Sequence, residues 1–216
     1  MILEADNIEL SFDNKKILYG VYLKAETGKI TGILGRNGCG KTSLLRIIFG
    51  DLNAKYKNIR INSTYQKKDL YKTDLIAYLP QHRLLPQNIK LSKAFKLFNV
   101  AWNDFTELFE SFQKYDTTSI DKVSSGELRV IETYLILNSN KKIILLDEPF
   151  SFIAPIYIEK FKVIIEEKKK KSAIIISDHF YRDILDISDT VYFIKNGYSK
   201  MITSKEDLEN EGYINY

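Results

Sequence analysis

The sequence predicts an α/β domain built around a largely parallel sheet, and three observations support this prediction. Short apolar segments typical of buried strands alternate with segments of helical periodicity along most of the 216 residues. A glycine-rich loop at residues 35–42 stands between one such strand and one such helix. A later apolar strand ends in two adjacent carboxylates, Asp147 and Glu148. Ligands of such a sheet are expected at the carboxyl ends of its strands.

Hydrophobic periodicity and turn residues assign the individual elements. The predicted strands are 2–12, Ile17–Ala25, Lys29–Leu34, Asn58–Ser63, Leu75–Leu79, Lys142–Asp147, Ser172–Ser177, Thr190–Lys195 and Tyr198–Thr203. The predicted helices are 42–49, Ser125–Leu137, Ile156–Lys169, Phe180–Ile187 and Ser204–Asn210. Asn14-Lys15 and Asn196-Gly197 mark turns between neighbouring strands, and the Asn-Gly pair is a strong hairpin signal.

The spacing of apolar residues within 82–122 predicts a helical insertion. Apolar side chains recur there at helical spacing, and we expect their aromatic members to form a small local core rather than a ligand site. These residues are Leu91, Phe95, Phe98, Trp102, Phe105, Leu108 and Phe109. Leu84, Leu85 and Pro86 either form an exposed apolar patch or lie buried under the helices, and the sequence leaves both interpretations open.

Composition limits the functional class. The chain is 44% hydrophobic and carries a net charge of +4 with interspersed signs, so we expect no nucleic-acid partner. The longest apolar run, Leu75–Leu79, is far shorter than the roughly 20 residues that cross a bilayer, and no signal peptide is visible. We therefore expect a soluble intracellular chain. Its single cysteine, Cys39, excludes an intramolecular disulfide.

The loop Gly35-Arg36-Asn37-Gly38-Cys39-Gly40-Lys41-Thr42 has P-loop spacing. Its three glycines allow successive backbone N–H groups to point inward as an anion nest, and the following helix adds its positive N-terminus. Lys41 can reach the β- and γ-phosphates of a nucleotide, and the Thr42 hydroxyl can bind Mg²⁺. The motif therefore predicts a nucleoside triphosphate site.

Two further motifs suit the same chemistry. Asp147 is expected in the Mg²⁺ shell, through water, and Glu148 is expected as the general base that polarises an attacking water. Ser124 and Glu127 match a capping box at the start of a helix. The same helix start offers a hydroxyl and free N–H groups to a second phosphate contact, so the structural and functional interpretations are compatible.

The P-loop, Gln81 after a strand, Ser-Ser-Gly-Glu, Leu-Leu-Asp-Glu-Pro and Ser177-Asp178-His179 occur in that order. This order resembles the ATP-binding cassette (ABC) ATPases, the nucleotide-binding subunits of ABC transporters. The resemblance implies a single ABC ATPase domain over residues 1–216. Residues 1–81 and 123–216 would form a P-loop NTPase (RecA-like) core with an N-terminal antiparallel β subdomain, and residues 82–122 an inserted α-helical subdomain.

The resemblance also implies roles for individual residues. Glu148, His179, Lys41 and Gln81 would be catalytic, with His179 contacting the γ-phosphate. Thr42, Gln81 and Asp147 would hold the metal. The nucleotide would contact Phe12, Gly35, Arg36, Asn37, Gly38, Cys39, Gly40, Lys41, Thr42, Ser43, Ser124 and Gly126. Phe12 would stack on adenine, or it is simply a strand core residue.

The sequence departs from the family pattern at three positions. Val123 replaces the first signature residue, leucine, and Ser125 replaces the first signature glycine. Ala154 stands where the family has an aspartate after the carboxylate pair. The departures at Ser125 and Ala154 motivate one alternative, a degenerate ATP-binding subunit paired with an active one.

The resemblance implies ATP and Mg²⁺ as cofactors, and two partners, an integral membrane transporter subunit and a second ABC ATPase chain. The chain would then lie in the cytoplasm, peripheral on the inner face of the cell membrane through its partner. A soluble ABC ATPase without a transport role is the main alternative. A GTPase is disfavoured because no Asn-Lys-x-Asp motif is present, and a P-loop kinase is disfavoured because kinases lack the Ser-x-Gly-Glu and switch-histidine pair.

Overall fold

A computed structural model describes residues 1–13 and 15–214. The strands are β1 (Ile2–Phe12), β2 (Lys15–Glu26), β3 (Ile30–Leu34), β4 (Tyr56–Ile61), β5 (Thr64–Tyr65), β6 (Ile76–Leu79), β7 (Ile143–Asp147), β8 (Ala173–Ser177), β9 (Thr190–Lys195) and β10 (Tyr198–Ile202). The helices are α1 (Lys41–Phe49), α2 (Leu91–Phe98), α3 (Trp102–Leu108), α4 (Ser125–Leu137), α5 (Pro155–Lys169), α6 (Tyr181–Ile187) and α7 (Lys205–Asn210). The predicted turn at Asn14-Lys15 falls partly outside the described residues, because Asn14 is not described.

The strands form two sheets, which confirms the predicted fold class. The six-stranded sheet has the order β10-β9-β3-β8-β7-β6, and only the β10–β9 pair is antiparallel. The four-stranded sheet has the order β2-β1-β4-β5 and is antiparallel. The carboxyl ends of β3, β7 and β8 therefore lie side by side at one edge of the larger sheet, where α/β folds bind ligands.

The larger sheet is covered on both faces, which explains why its central strands are continuous apolar runs. Along β7, Ile143 and Leu145 join one core with α1 and the antiparallel sheet. Ile144 and Leu146 join a second core with α2 to α6. The alternation follows from the two-residue repeat of a strand. Burial on both faces holds the residues that follow β7 in a fixed position.

The insertion contains less helix than the periodicity predicted. The predicted helical stretch divides at Asn99, which adopts a left-handed conformation (φ 55°) and ends α2. Residues 82–90 contain no helix, and Glu110–Tyr115 is a 3-10 helix. The predicted local aromatic core is present around Phe105, whose ring lies 5.2 Å from that of Phe95.

The stretch Leu84–Pro86 does not form an apolar patch. Leu85 is buried and Leu84 packs against the same core, whereas Pro86 is exposed. The burial interpretation is therefore correct for the two leucines. The Asn196-Gly197 hairpin is confirmed between β9 and β10, with positive φ at both residues as its turn type requires.

Candidate nucleotide-binding site

The predicted P-loop follows β3 and turns tightly into α1. Gly35 (φ 154°) and Gly40 (φ 105°) both occupy backbone conformations that other residues rarely adopt. A Cβ at Gly35 would lie 2.5 Å from the Cys39 Sγ and 2.6 Å from the Ile194 carbonyl oxygen. These glycines are therefore needed for the loop to curl as an anion nest does.

Lys41 is the first residue of α1 and is almost fully buried. Its Nζ donates a hydrogen bond of 2.8 Å to the carbonyl oxygen of Gly35. The ammonium group is thus held inside the loop, beside the positive N-terminus of α1. A fixed cation, a helix N-terminus and a loop of backbone amides together form a phosphate cradle.

A cavity of about 560 Å³ lies against this loop, within the usual size of small-molecule sites. Its wall joins the end of β1, the P-loop, and the segments after β6, β7 and β8. The lining residues are Phe12, Ile17, Asn37, Gly38, Gly40, Lys41, Thr42, Ser43, Gln81, Glu148, Phe152 and His179. All four residues predicted to be catalytic are therefore brought together by the fold.

Other predicted nucleotide contacts lie outside this lining. Arg36 and Cys39 line an adjoining cavity of about 540 Å³, which shares Asn37 and Gly38 with the first. Burial raises the pKa of the Cys39 thiol, so it is a poor nucleophile at neutral pH.

Phe12 is 51% exposed, so it is not a core residue of its strand. Its ring is available for stacking, and that role stays a prediction.

Glu148 follows directly after β7 in a left-handed conformation (φ 52°), which is unusual for this residue type. Its N–H donates to the Ser177 carbonyl at 2.7 Å, and its Oε2 accepts from the Ser151 hydroxyl at 3.3 Å. The same oxygen lies 3.8 Å from the His179 Nδ1. The candidate base and the candidate phosphate contact are thus neighbours on one wall of the cavity.

Asp178 organises the segment that carries His179. Its buried carboxylate accepts the backbone N–H groups of His179 (2.7 Å), Phe180 (3.1 Å) and Phe150 (3.1 Å). Burial raises the pKa of Asp178, and these hydrogen bonds partly offset that effect. Because Phe150 follows β7 and His179 follows β8, one side chain ties the two strand ends together.

Asp147 lies deeper than Glu148 and is fully buried. Its two carboxylate oxygens accept from the Tyr78 hydroxyl at 3.1 Å and the Ser177 hydroxyl at 2.7 Å. Burial and the negative charge of Asp147 raise the pKa of Tyr78, so the phenol remains a donor. Asp147 does not line the cavity, and its contact with a metal through water stays a prediction.

Ser124 and Gly126 stand apart from the P-loop cavity. Ser124 caps α4 in a complete capping box with Glu127, as predicted. Ser125 lines a smaller cavity of about 270 Å³, which shares Gln81, Glu148 and Phe152 with the first. A Cβ at Gly126 would lie 2.5 Å from the Phe152 carbonyl oxygen, so glycine is required there. Within one chain, these signature residues do not complete the nucleotide site.

Two residues at this site were not singled out from the sequence. Phe152 lines both cavities, is 88% exposed and has a positive φ of 65°. Arg129 is buried within α4 and donates to the backbone carbonyls of Pro80, Asp147 and Glu148. A different sequence signal was available for each: an aromatic shortly after the carboxylate pair for Phe152, and a charged residue within an apolar helix for Arg129.

The chain matches the family model described as ABC transporter over residues 18–151, more than half its length. It is 27% identical to the lipopolysaccharide export system ATP-binding protein of Haemophilus influenzae, over 99% of this chain and 95% of that protein. It is 27% identical to the zinc import ATP-binding protein of Wolbachia sp. subsp. Brugia malayi, over 90% of this chain and 80% of that protein.

Among solved structures, an ATP binding subunit of an ABC transporter aligns with a TM-score of 0.82 at 19% identity, over 99% of this chain and 94% of that chain, and this likeness supports the fold. The family match, the curated relatives and the geometry of the P-loop cavity agree with one another. The chain therefore belongs to the ABC transporter family, as an ATP-binding subunit that hydrolyses ATP.

Proposed function

We propose that this chain dimerises around two ATP–Mg²⁺ and drives transport by an integral membrane protein. The observation that carries this proposal is the separation of two half-sites in one chain. Lys41, Glu148 and His179 line the P-loop cavity, whereas Ser124 and Gly126 lie outside it. In a head-to-tail pair, Ser124 of one copy would meet the phosphates held by Lys41 of the other.

The proposed chemistry uses the residues of the cavity wall. Glu148 orients a water molecule and accepts its proton, while Gln81 positions that water from the opposite segment. His179 and Lys41 stabilise the negative charge that develops on the γ-phosphate. These roles are supported by the family membership and by the position of all four side chains in the wall of one cavity.

The residues present suit a magnesium ion. Thr42, Gln81 and Asp147 offer only oxygen donors from hydroxyl, amide and carboxylate groups, which Mg²⁺ prefers. Among residues 1–13 and 15–214, no group of three or more His, Cys, Asp or Glu side chains forms a metal cluster. A Mg²⁺ site on nucleotide phosphates needs only one or two protein ligands, and the bound ion would neutralise phosphate charge there.

The membrane partner is proposed from the family and from the helical insertion. No helix in the described part of the chain is long and apolar enough to cross a membrane. In the proposed complex, the partner spans the membrane and holds the chain on the cytoplasmic face. We propose residues 82–122 as the helical subdomain that receives this partner. The relatives named above act in lipopolysaccharide export and zinc import, so no cargo is assigned to this chain.

Co-purification distinguishes a transport role from the soluble alternative. A tagged chain extracted from membranes should carry a polytopic membrane protein with it. Substitution of exposed residues in the 82–95 segment, such as Pro86 or Gln87, should weaken that association without lowering ATP hydrolysis by the isolated chain. Recovery of only soluble partners would favour the alternative role.

Dimerisation is tested with the Glu148→Gln variant. The variant should form dimers in saturating ATP–Mg²⁺ and hydrolyse ATP at least about 100-fold more slowly, because the general base is lost while phosphate binding is retained. Light scattering after size exclusion measures the mass. Adding Lys41→Ala to the same chain should abolish the dimer. A Glu148→Gln chain that stays monomeric in saturating ATP–Mg²⁺ would contradict the proposed ATP-dependent dimerisation.

A further inference from the structure

Arg129 connects the start of α4 to both segments that carry the candidate hydrolytic groups. Its guanidinium donates to the carbonyl oxygens of Pro80 (2.7 Å), Asp147 and Glu148 (3.0 Å). Pro80 immediately precedes Gln81. Arg129 is only 7% exposed, and burial lowers its pKa without removing its charge at neutral pH. The guanidinium N–H groups of Arg129 therefore bind backbone carbonyl oxygens rather than a carboxylate.

Glu132 acts on the other end of the same segment. It lies one helical turn after Arg129 and is 2% exposed. Its Oε1 accepts the N–H groups of Leu84 (2.8 Å) and Leu85 (2.9 Å). Burial raises its pKa, and these two hydrogen bonds together with Arg129 oppose that shift. Residues 80–85 contain no helix or strand, so two buried side chains of α4 hold both ends of this stretch.

The backbone of Glu148 needs such support. Its left-handed conformation costs on the order of 1 kcal/mol or more for a residue that is not glycine. The N–H group is held by Ser177 at 2.7 Å and the carbonyl by Arg129 at 3.0 Å. Both sides of the strained residue are thus fixed, which aims its carboxylate into the P-loop cavity.

We propose that Arg129 and Glu132 are positioning residues, which transmit the placement of α4 to Gln81 and Glu148. Ser125, the first residue of α4, lies four positions before Arg129. A displacement of the start of α4 would therefore move the carbonyls of Pro80 and Glu148 through the Arg129 side chain. The inference rests on the catalytic roles proposed above for Gln81 and Glu148.

Steady-state ATP hydrolysis by the full chain tests this pair. Arg129→Gln should lower kcat at least about 10-fold and change the KM for ATP less than about threefold, because Lys41 and the P-loop are untouched. Arg129→Lys should recover part of kcat, since an ammonium can donate to some of the same carbonyls. Glu132→Gln retains an acceptor oxygen and should keep more activity than Glu132→Leu, which retains none.

Matched variants separate positioning from a general folding defect. Arg46→Gln removes a partly exposed arginine of α1 whose guanidinium pairs with Asp51, and kcat should stay within about twofold. In a double-mutant cycle, Arg129→Gln should have a smaller effect when Gln81 is already alanine, because it acts through that segment. Melting curves and binding of a fluorescent ATP analogue measure stability and affinity in each variant.

The results separate failure of this inference from failure of the proposed roles. If Gln81→Ala and Glu148→Gln keep the original kcat, the proposed catalytic roles are wrong. If those variants lose activity but Arg129→Gln does not, the positioning role is overturned. It is also overturned if Arg129→Gln lowers ATP affinity, melting temperature and kcat in parallel while Arg129→Lys recovers none of them.

Discussion

The P-loop and the signature segment both present a helix N-terminus, but their surroundings differ. At α1, the buried Lys41 and the loop amides meet Glu148 and His179 across one cavity. At α4, the Ser124 hydroxyl is exposed and bonds its own capping partner, Glu127. The first region is a phosphate cradle that one chain completes. The second is a stable cap, and we propose that it contacts a phosphate only in a pair of chains.

The segment after β7 lies between these regions and shares features with both. Phe152 lines the P-loop cavity and the smaller cavity beside Ser125, and its carbonyl lies against Gly126. Its ring is 88% exposed although its backbone is strained. An exposed aromatic held in an unfavourable conformation suggests a contact that the isolated chain does not make.

The largest expected effect concerns the P-loop. Lys41→Ala should lower ATP hydrolysis by about 100- to 1000-fold, because it removes a fixed cation from the charge that develops in the reaction. Its melting temperature should change little, since the lost hydrogen bond to Gly35 is a single contact. Thr42 and Glu148 are unaltered in this variant. Retention of full activity would show that Lys41 is not part of the phosphate cradle.

A matched pair of serines tests whether Ser124 does more than cap its helix. Ser124→Ala and Ser204→Ala each remove the serine of a complete capping box, at α4 and α7 respectively. Both should lower the free energy of unfolding by about 1 kcal/mol in urea titrations. Only Ser124→Ala should also lower ATP hydrolysis. Equal loss of activity in both variants would reduce Ser124 to a structural role.

The smallest expected effect concerns Phe152. Phe152→Asn should raise the free energy of unfolding by about 0.5–1 kcal/mol, because asparagine tolerates a positive φ better and little apolar area is lost. The same change should weaken the ATP-dependent dimer of the Glu148→Gln chain, measured by light scattering over a range of protein concentrations. A dimer of unchanged strength would exclude Phe152 from the interface.

Local patterns predicted much of this molecule. Residues 35–42 define the phosphate loop through glycine spacing, and the apolar run that ends at Asp147 defines a buried strand. The capping boxes at Ser124 and Ser204 are equally local. Each of these depends on residues within a few positions of one another, so the sequence alone contains the necessary information.

Features that depend on distant contacts were not predictable in the same way. The backbone N–H of Leu85 donates to Glu132, which lies 47 positions away. Arg129 holds carbonyls from two other segments, and nothing in the residues adjacent to it in the sequence indicates those partners.

We propose that each nucleotide site is built from two chains. The most direct test mixes purified Lys41→Ala chain with purified Ser124→Ala chain, each nearly inactive alone. A head-to-tail dimer of the two variants would contain one intact site, so mixing should restore about a quarter of the unmodified activity per chain. No recovery above the sum of the separate activities, with mixed dimers demonstrated by differential tags, would contradict the split site.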